Sequence, residues 1–172
     1  MVAVDAVSKS VETSKRHDQN QYLTYMLGRE MFALPILCIK EILEYEAPTD
    51  VPMMPSFVRG IVNLRGAVVP VIDLAQRFGR ESSPTTKKTC IVIVETQVDE
   101  EAHVFGVMVD AVNEVLEIPD AEIEAAPAFG AAVRTDFIQG MGKVNGRFVI
   151  ILNVHAALSV DDMTMIVGAT KQ

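Results

Sequence analysis

The chain has 172 residues, a formal net charge of −8 and a pI of about 4.8, which suits one domain or two very small ones and excludes a large multidomain enzyme. Its acidic excess argues against a phosphate backbone as partner, because nucleic-acid affinity rests on Lys and Arg displacing counterions. With aromatic residues at 6% and no Trp, platforms for stacking bases or sugars are scarce too.

Residues 1–20 are rich in charged and polar side chains and lack an apolar stretch, so they predict a disordered tail and no signal peptide. Alternating and β-branched runs follow at Tyr22–Gly28, Met31–Ile36 and Ile39–Tyr45. The third run also satisfies a helical period through Ile36, Ile39, Ile42 and Leu43. Pro48, Pro52 and Pro55 then make a loop, since each removes a backbone donor and restrains the residue before it. Ile61–Leu64 and Ala67–Leu74 flank Arg65-Gly66 and read as a β-hairpin, with Pro70 at an edge or a bulge. Residues 80–88 are a polar break and the best candidate linker. Three further strands are predicted at Thr89–Glu95, His103–Val109 and Val112–Ile118, then an Ala/Pro/Gly loop carrying Phe129. Phe137–Val144 and Arg147–Val154 flank Asn145-Gly146, a strong hairpin signal because both residues tolerate positive φ. Ser159 and Asp162 form a capping pattern that predicts a terminal helix over 160–169.

The chain repeats itself. Phe57–Leu74 laid over Phe137–Val154 brings Phe57, Gly60, Gly66 and Val69 onto identical residues, and Asp73 onto Asn153. Phe32–Glu44 laid over Phe105–Glu117 matches Phe32, Glu41, Leu43 and Glu44 with identical residues. The matched glycines carry most weight, because backbone geometry rather than hydrophobicity limits the choice there. Val112, Glu114, Leu116 and Ile118 alternate as a strand does, so the equivalent Ile39–Tyr45 run is read as a strand as well. The expectation is an all-β protein with a short C-terminal helix: two five-stranded barrels related by a pseudo-twofold. The first would span about 21–79 and the second about 88–154, within a domain over 21–169, with strand exchange between them left open.

Catalytic constellations are missing. There is no G-x-S-x-G elbow and no P-loop, and Gly140-Met141-Gly142 leads into a hairpin, where no helix N-terminus could hold a pyrophosphate. His17, His103 and His155 share no metal-ligand spacing. Cys38 and Cys90 are far apart and lie in aliphatic runs, as free thiols in a reducing compartment do. No catalytic, cofactor or metal residues are therefore expected. Glu41 stands out. A period of two places it on one strand face with Ile39 and Leu43, where a carboxylate needs a cation or solvent. Arg65 is a suitable partner in a plain structural ion pair; the alternative is an apolar groove of Ile36, Ile39 and Ile42 with Glu41 at its edge, used to grip a partner helix.

The segment from Phe57 to Leu74, with its F-x-x-G-x-x-N-x-R-G pattern and Asp-Leu ending, closely resembles the signature of the CheW family of bacterial chemotaxis coupling proteins. The resemblance runs from about Tyr22 to the terminal helix and takes in Ile39-Lys40-Glu41-Ile42, the Phe105–Asp110 strand and Pro127-Ala128-Phe129. It implies SH3-like barrels and a non-catalytic cytoplasmic adaptor in chemotaxis signal transduction. Such an adaptor bridges the regulatory domain of the chemotaxis histidine kinase to the cytoplasmic tips of methyl-accepting chemoreceptors in membrane-associated arrays. By this resemblance Ile36, Ile39, Glu41, Ile42, Cys90, Gly106 and Val112 match the receptor-binding groove. Arg65 matches the arginine paired with the motif glutamate, and Phe129 matches a kinase contact. Cys90 departs from the usual aliphatic residue, and Glu124 stands where a basic residue can occur. Nucleic acid and direct membrane insertion are not expected. Two other readings are a coupler of a twitching or other surface-motility pathway, and a small-ligand sensor using the cleft between the barrels.

Overall fold

In the computed structural model, residues 20–98, 100–125 and 137–158 are described. Among the described residues eleven strands and two short α-helices follow one another: β1 Gln21–Leu27, β2 Glu30–Pro35, β3 Ile39–Glu44, β4 Val58–Leu64, β5 Ala67–Asp73, α1 Leu74–Arg77, β6 Cys90–Val98, β7 Glu101–Val109, β8 Ala111–Glu117, β9 Ile123–Glu124, β10 Ile138–Val144, β11 Arg147–Leu152 and α2 Val154–Ala157. The expected terminal helix over 160–169 and Phe129 lie outside the described residues.

The strands form two sheets, ordered β3-β6-β7-β5-β4 and β8-β1-β2-β11-β10-β9. Neither sheet follows the halves 21–79 and 88–154, and this corrects the expected barrel boundaries. The chain crosses from one sheet to the other twice. A 3₁₀ turn at Ile36–Cys38, entered through Pro35, carries it out of the β1–β2 hairpin, and Asp110 carries it back between β7 and β8. Each half thus lends one hairpin to the other half's sheet. The two exchanged hairpins dock through parallel pairs, Val71 beside Gly106 and Ile151 beside Ala33, which are equivalent under the sequence repeat.

Each sheet then closes on itself. After β3 the chain returns to bond β4, with Thr49 and Ile61 exchanging two N–H···O bonds of 2.8 Å. After β8 the equivalent return is β9, which pairs with β10. Gly60 and Gly140 sit under these returning segments. A Cβ on Gly60 would lie 2.3 Å from the Thr49 carbonyl oxygen, and one on Gly140 would lie 3.1 Å from that of Glu124. Both hairpin turns take positive φ at two successive residues, Arg65 and Gly66 in one and Asn145 and Gly146 in the other, as the twist of paired strands demands. Both hairpins end in a short helix capped by its own Asx side chain. Asp73 accepts from the Gln76 N–H, and Asn153 from the Ala156 N–H.

Three apolar clusters follow from this topology. Val69, Val71, Ile91, Ile93 and Met108 fill the first barrel, built from β3–β7. Tyr22, Ala33, Ile118, Val149 and Ile151 fill the second. The largest cluster lies between the barrels and includes Leu23, Phe32, Ile36, Ile39, Leu74, Val92, Phe105 and Phe137. At about 1.5–3 kcal/mol for each large side chain fully buried, this shared layer is what makes two minimal barrels one body. Pro70 lies within β5 at a point where only β4 is paired, because pairing with β7 begins at Val71; its missing N–H costs no ladder bond on that side. Residues 80–88 do not act as a linker between domains. Arg80 ion-pairs with Glu30, Ser82 Oγ donates to Asp73 Oδ2 at 2.6 Å, and Ser83 Oγ donates to Asp110 Oδ2 at 3.0 Å, so the segment is strapped across both barrels.

Candidate functional site

Glu41 and Arg65 meet at the mouth of the first barrel, where β3 begins and the β4–β5 turn folds over. A β-bulge between Ile39 and Glu41 makes the encounter possible. The extra residue shifts the alternation by one. Ile39 and Ile42 consequently face the layer between the barrels, while Leu43 faces the first barrel's interior. The expectation that Glu41 shares a face with Ile39 is corrected by this bulge. Arg65, held at φ +53° by the hairpin turn, donates from Nη2 to Glu41 Oε1 at 3.0 Å. The turn itself is pinned by the Gly66 N–H bonding to Asn63 Oδ1 at 3.0 Å.

Glu41 is three-quarters buried and Arg65 three-quarters exposed, with side-chain exposures of 26% and 77%. Such a pair contributes about 0–1 kcal/mol to folding, so stability alone gives little reason for it. Its second carboxylate oxygen, Oε2, is buried and has no hydrogen-bond partner among the described residues. An acceptor in that state favours an incoming N–H or O–H donor. It borders a cleft of about 530 Å³ lined by Lys40, Leu64, Val68, Pro70, His103 and Phe105 among others. Val68 leaves 45% of its surface exposed there. Lys40 is tied to Glu95 at 3.3 Å, and His103 Nε2 lies 3.8 Å from Glu101. The cleft offers apolar walls and fixed charges but no nucleophile paired with a base, and no cluster of metal-ligating side chains occurs among the described residues.

The remaining residues expected in a groove are placed differently. Ile36 and Ile39 are fully buried, Ile42 and Cys90 nearly so, and all four pack in the layer between the barrels. In this state they support the surface from beneath. Gly106 is also buried, and a Cβ there would lie 2.8 Å from Ile91 Cγ2, so it serves close packing inside the first barrel. Val112 alone of the apolar candidates is partly exposed, packed on the edge of the shared layer beside Val115. Burial and the nearby Glu44 push the Cys90 thiol pKa up, against a smaller lowering by a backbone hydrogen bond at Val112, so it stays a protonated core side chain.

Leu37, 54% exposed beside Ile36, was hidden in the sequence because the 3₁₀ turn that presents it interrupts an unbroken apolar run. Val68 and Phe148, 45% and 55% exposed, are equivalent in the repeat and could have been found as apolar residues two positions after the turn glycines.

Comparison with known proteins places these features. A family model described as CheW-like domain matches residues 21–162. The chemotaxis protein CheW of Klebsiella aerogenes is 29% identical over 151 residues, 88% of this chain and 89% of that protein. The chemotaxis protein CheW of Helicobacter pylori is 32% identical over 151 residues, covering 86% and 88%. The crystal structure of the scaffolding protein TtCheW from Thermoanaerobacter tengcongensis superposes with a TM-score of 0.75 at 32% identity, covering 84% of this chain and 91% of that one.

Proposed function

This chain belongs to the CheW-like domain family, and on that premise we propose that it works as a chemotaxis adaptor without catalysis of its own, holding a chemoreceptor tip and the chemotaxis histidine kinase at once. The cleft beside Glu41 carries the reading. An apolar-walled mouth with a buried carboxylate oxygen that has no partner among the described residues suits a helix that brings one hydrogen-bond donor among apolar side chains. Receptor conformation would then reach the kinase as a coupling free energy between two binding events on one molecule. Phe129 is proposed as the kinase contact, and recruitment to membrane-associated receptor arrays in the cytoplasm follows from the receptor contact.

Reconstitution tests this. Vesicles displaying receptor cytoplasmic fragments should sediment the chain, and the kinase should sediment and turn over faster only when the chain is present. A Phe129→Ser variant should lose the kinase and keep the receptor. A chain that stays in the supernatant, or a Phe129→Ser variant that loses both partners or neither, would contradict the two-surface reading. Repeating the capture with receptors from flagellar and surface-motility pathways assigns the pathway.

A further inference from the structure

The two short helices meet where the repeat's pseudo-twofold would run. Arg77 ends α1 and Ala157 ends α2, and the two are equivalent, each four residues beyond its capping Asx. Arg77 donates from Nε to the Ala157 carbonyl oxygen at 2.7 Å, satisfying one of the acceptors that a helix C-terminus leaves open. Its guanidinium also lies over two rings, with Cζ 5.0 Å from the centre of Phe57 and 4.6 Å from that of Phe137. These rings are equivalent as well. Phe57 precedes β4 of the first barrel and Phe137 precedes β10 of the second, and each carbonyl accepts at 2.7 Å from the Asx that caps its own helix.

One guanidinium therefore touches the same feature in both repeats, and Ala157, fully buried, stands where a second arginine would compete for the same space. Beside the polar strap at Arg80 and Ser83, the contact between barrels is an apolar layer that carries no direction of its own. A forked donor lying over two rings and aimed at one carbonyl does carry direction. We propose that Arg77 is the positioning residue that fixes the angle between the two barrels. What that angle serves, the relative placement of two partner surfaces, rests on the adaptor reading; the angle itself does not, so it is tested on the chain alone.

Spin labels at Q97C in β6 and K143C in β10, both exposed, in a C38A/C90A background, report the distance between barrels. Arg77→Ala should broaden the distance distribution and lower the unfolding midpoint. Arg77→Met, which keeps the aliphatic stem, should broaden it while holding the fold if the alanine variant does not. Because the site is shared by the repeats, the transposed variant R77A/A157R should recover a narrow distribution. A distribution as narrow in Arg77→Met as in the parent, or a folded R77A/A157R as broad as the single variants, would overturn the assignment.

Discussion

The two barrels agree wherever geometry leaves one choice and differ where a partner could tell them apart. Strand order, the parallel docking of a borrowed hairpin, paired positive-φ turns and Asx-capped helices are common to both. At the mouths they part. In the first barrel Arg65 reaches Glu41 across a cleft, while in the second the same places hold Asn145 and an exposed Glu114. A duplicated fold keeps the positions that its backbone requires and diverges at the rim, so divergence points to use.

Closure of the barrels gives the largest expected effect. Gly60 holds φ +147° with a carbonyl 2.3 Å from any Cβ, so Gly60→Ala should lose on the order of 3 kcal/mol in denaturant unfolding. Gly140→Ala would first meet the Ile123 Cγ2 methyl at 2.5 Å, a side chain that can move, and should lose about 1–2 kcal/mol. Equal losses would mean that the two closures are strained alike.

The mouths should matter little to folding. Glu41→Ala or Arg65→Ala should change unfolding free energy by less than about 1 kcal/mol, and Glu114→Ala by about 0.5 kcal/mol or less. A loss several times larger at Glu41 would make the pair a structural strut. The smallest effect concerns thiols. Cys90 stands opposite Glu44 as Gln21 stands opposite Glu117, but it is buried, and its pKa is raised. A raised thiol pKa leaves less thiolate at a given pH, about tenfold less for each unit, so alkylation at mildly alkaline pH should modify half-buried Cys38 first. Mass spectrometry finding Cys90 modified first in the folded chain would contradict that burial.

The repeat, the hairpin turns and the pairing of Glu41 with Arg65 were legible because each rests on local chemistry or on matched residues. What escaped was set by long-range geometry. Nothing local marks Pro35–Cys38 and Asp110 as crossings between sheets, so the sequence leaves strand exchange open without saying which hairpins move. The bulge at Lys40 is equally silent in sequence, and one residue there decides which of Ile39, Glu41 and Ile42 face the core. Leu37 was lost in an apolar run for the same reason.

Charge reversal at the equivalent rim positions tests the central claim most directly. Receptor-fragment vesicles should fail to sediment a folded Glu41→Lys variant and should sediment Glu114→Lys as they do the parent chain. Sedimentation of both variants alike, or loss of Glu114→Lys alone, would contradict the assignment of the receptor to the first barrel's mouth.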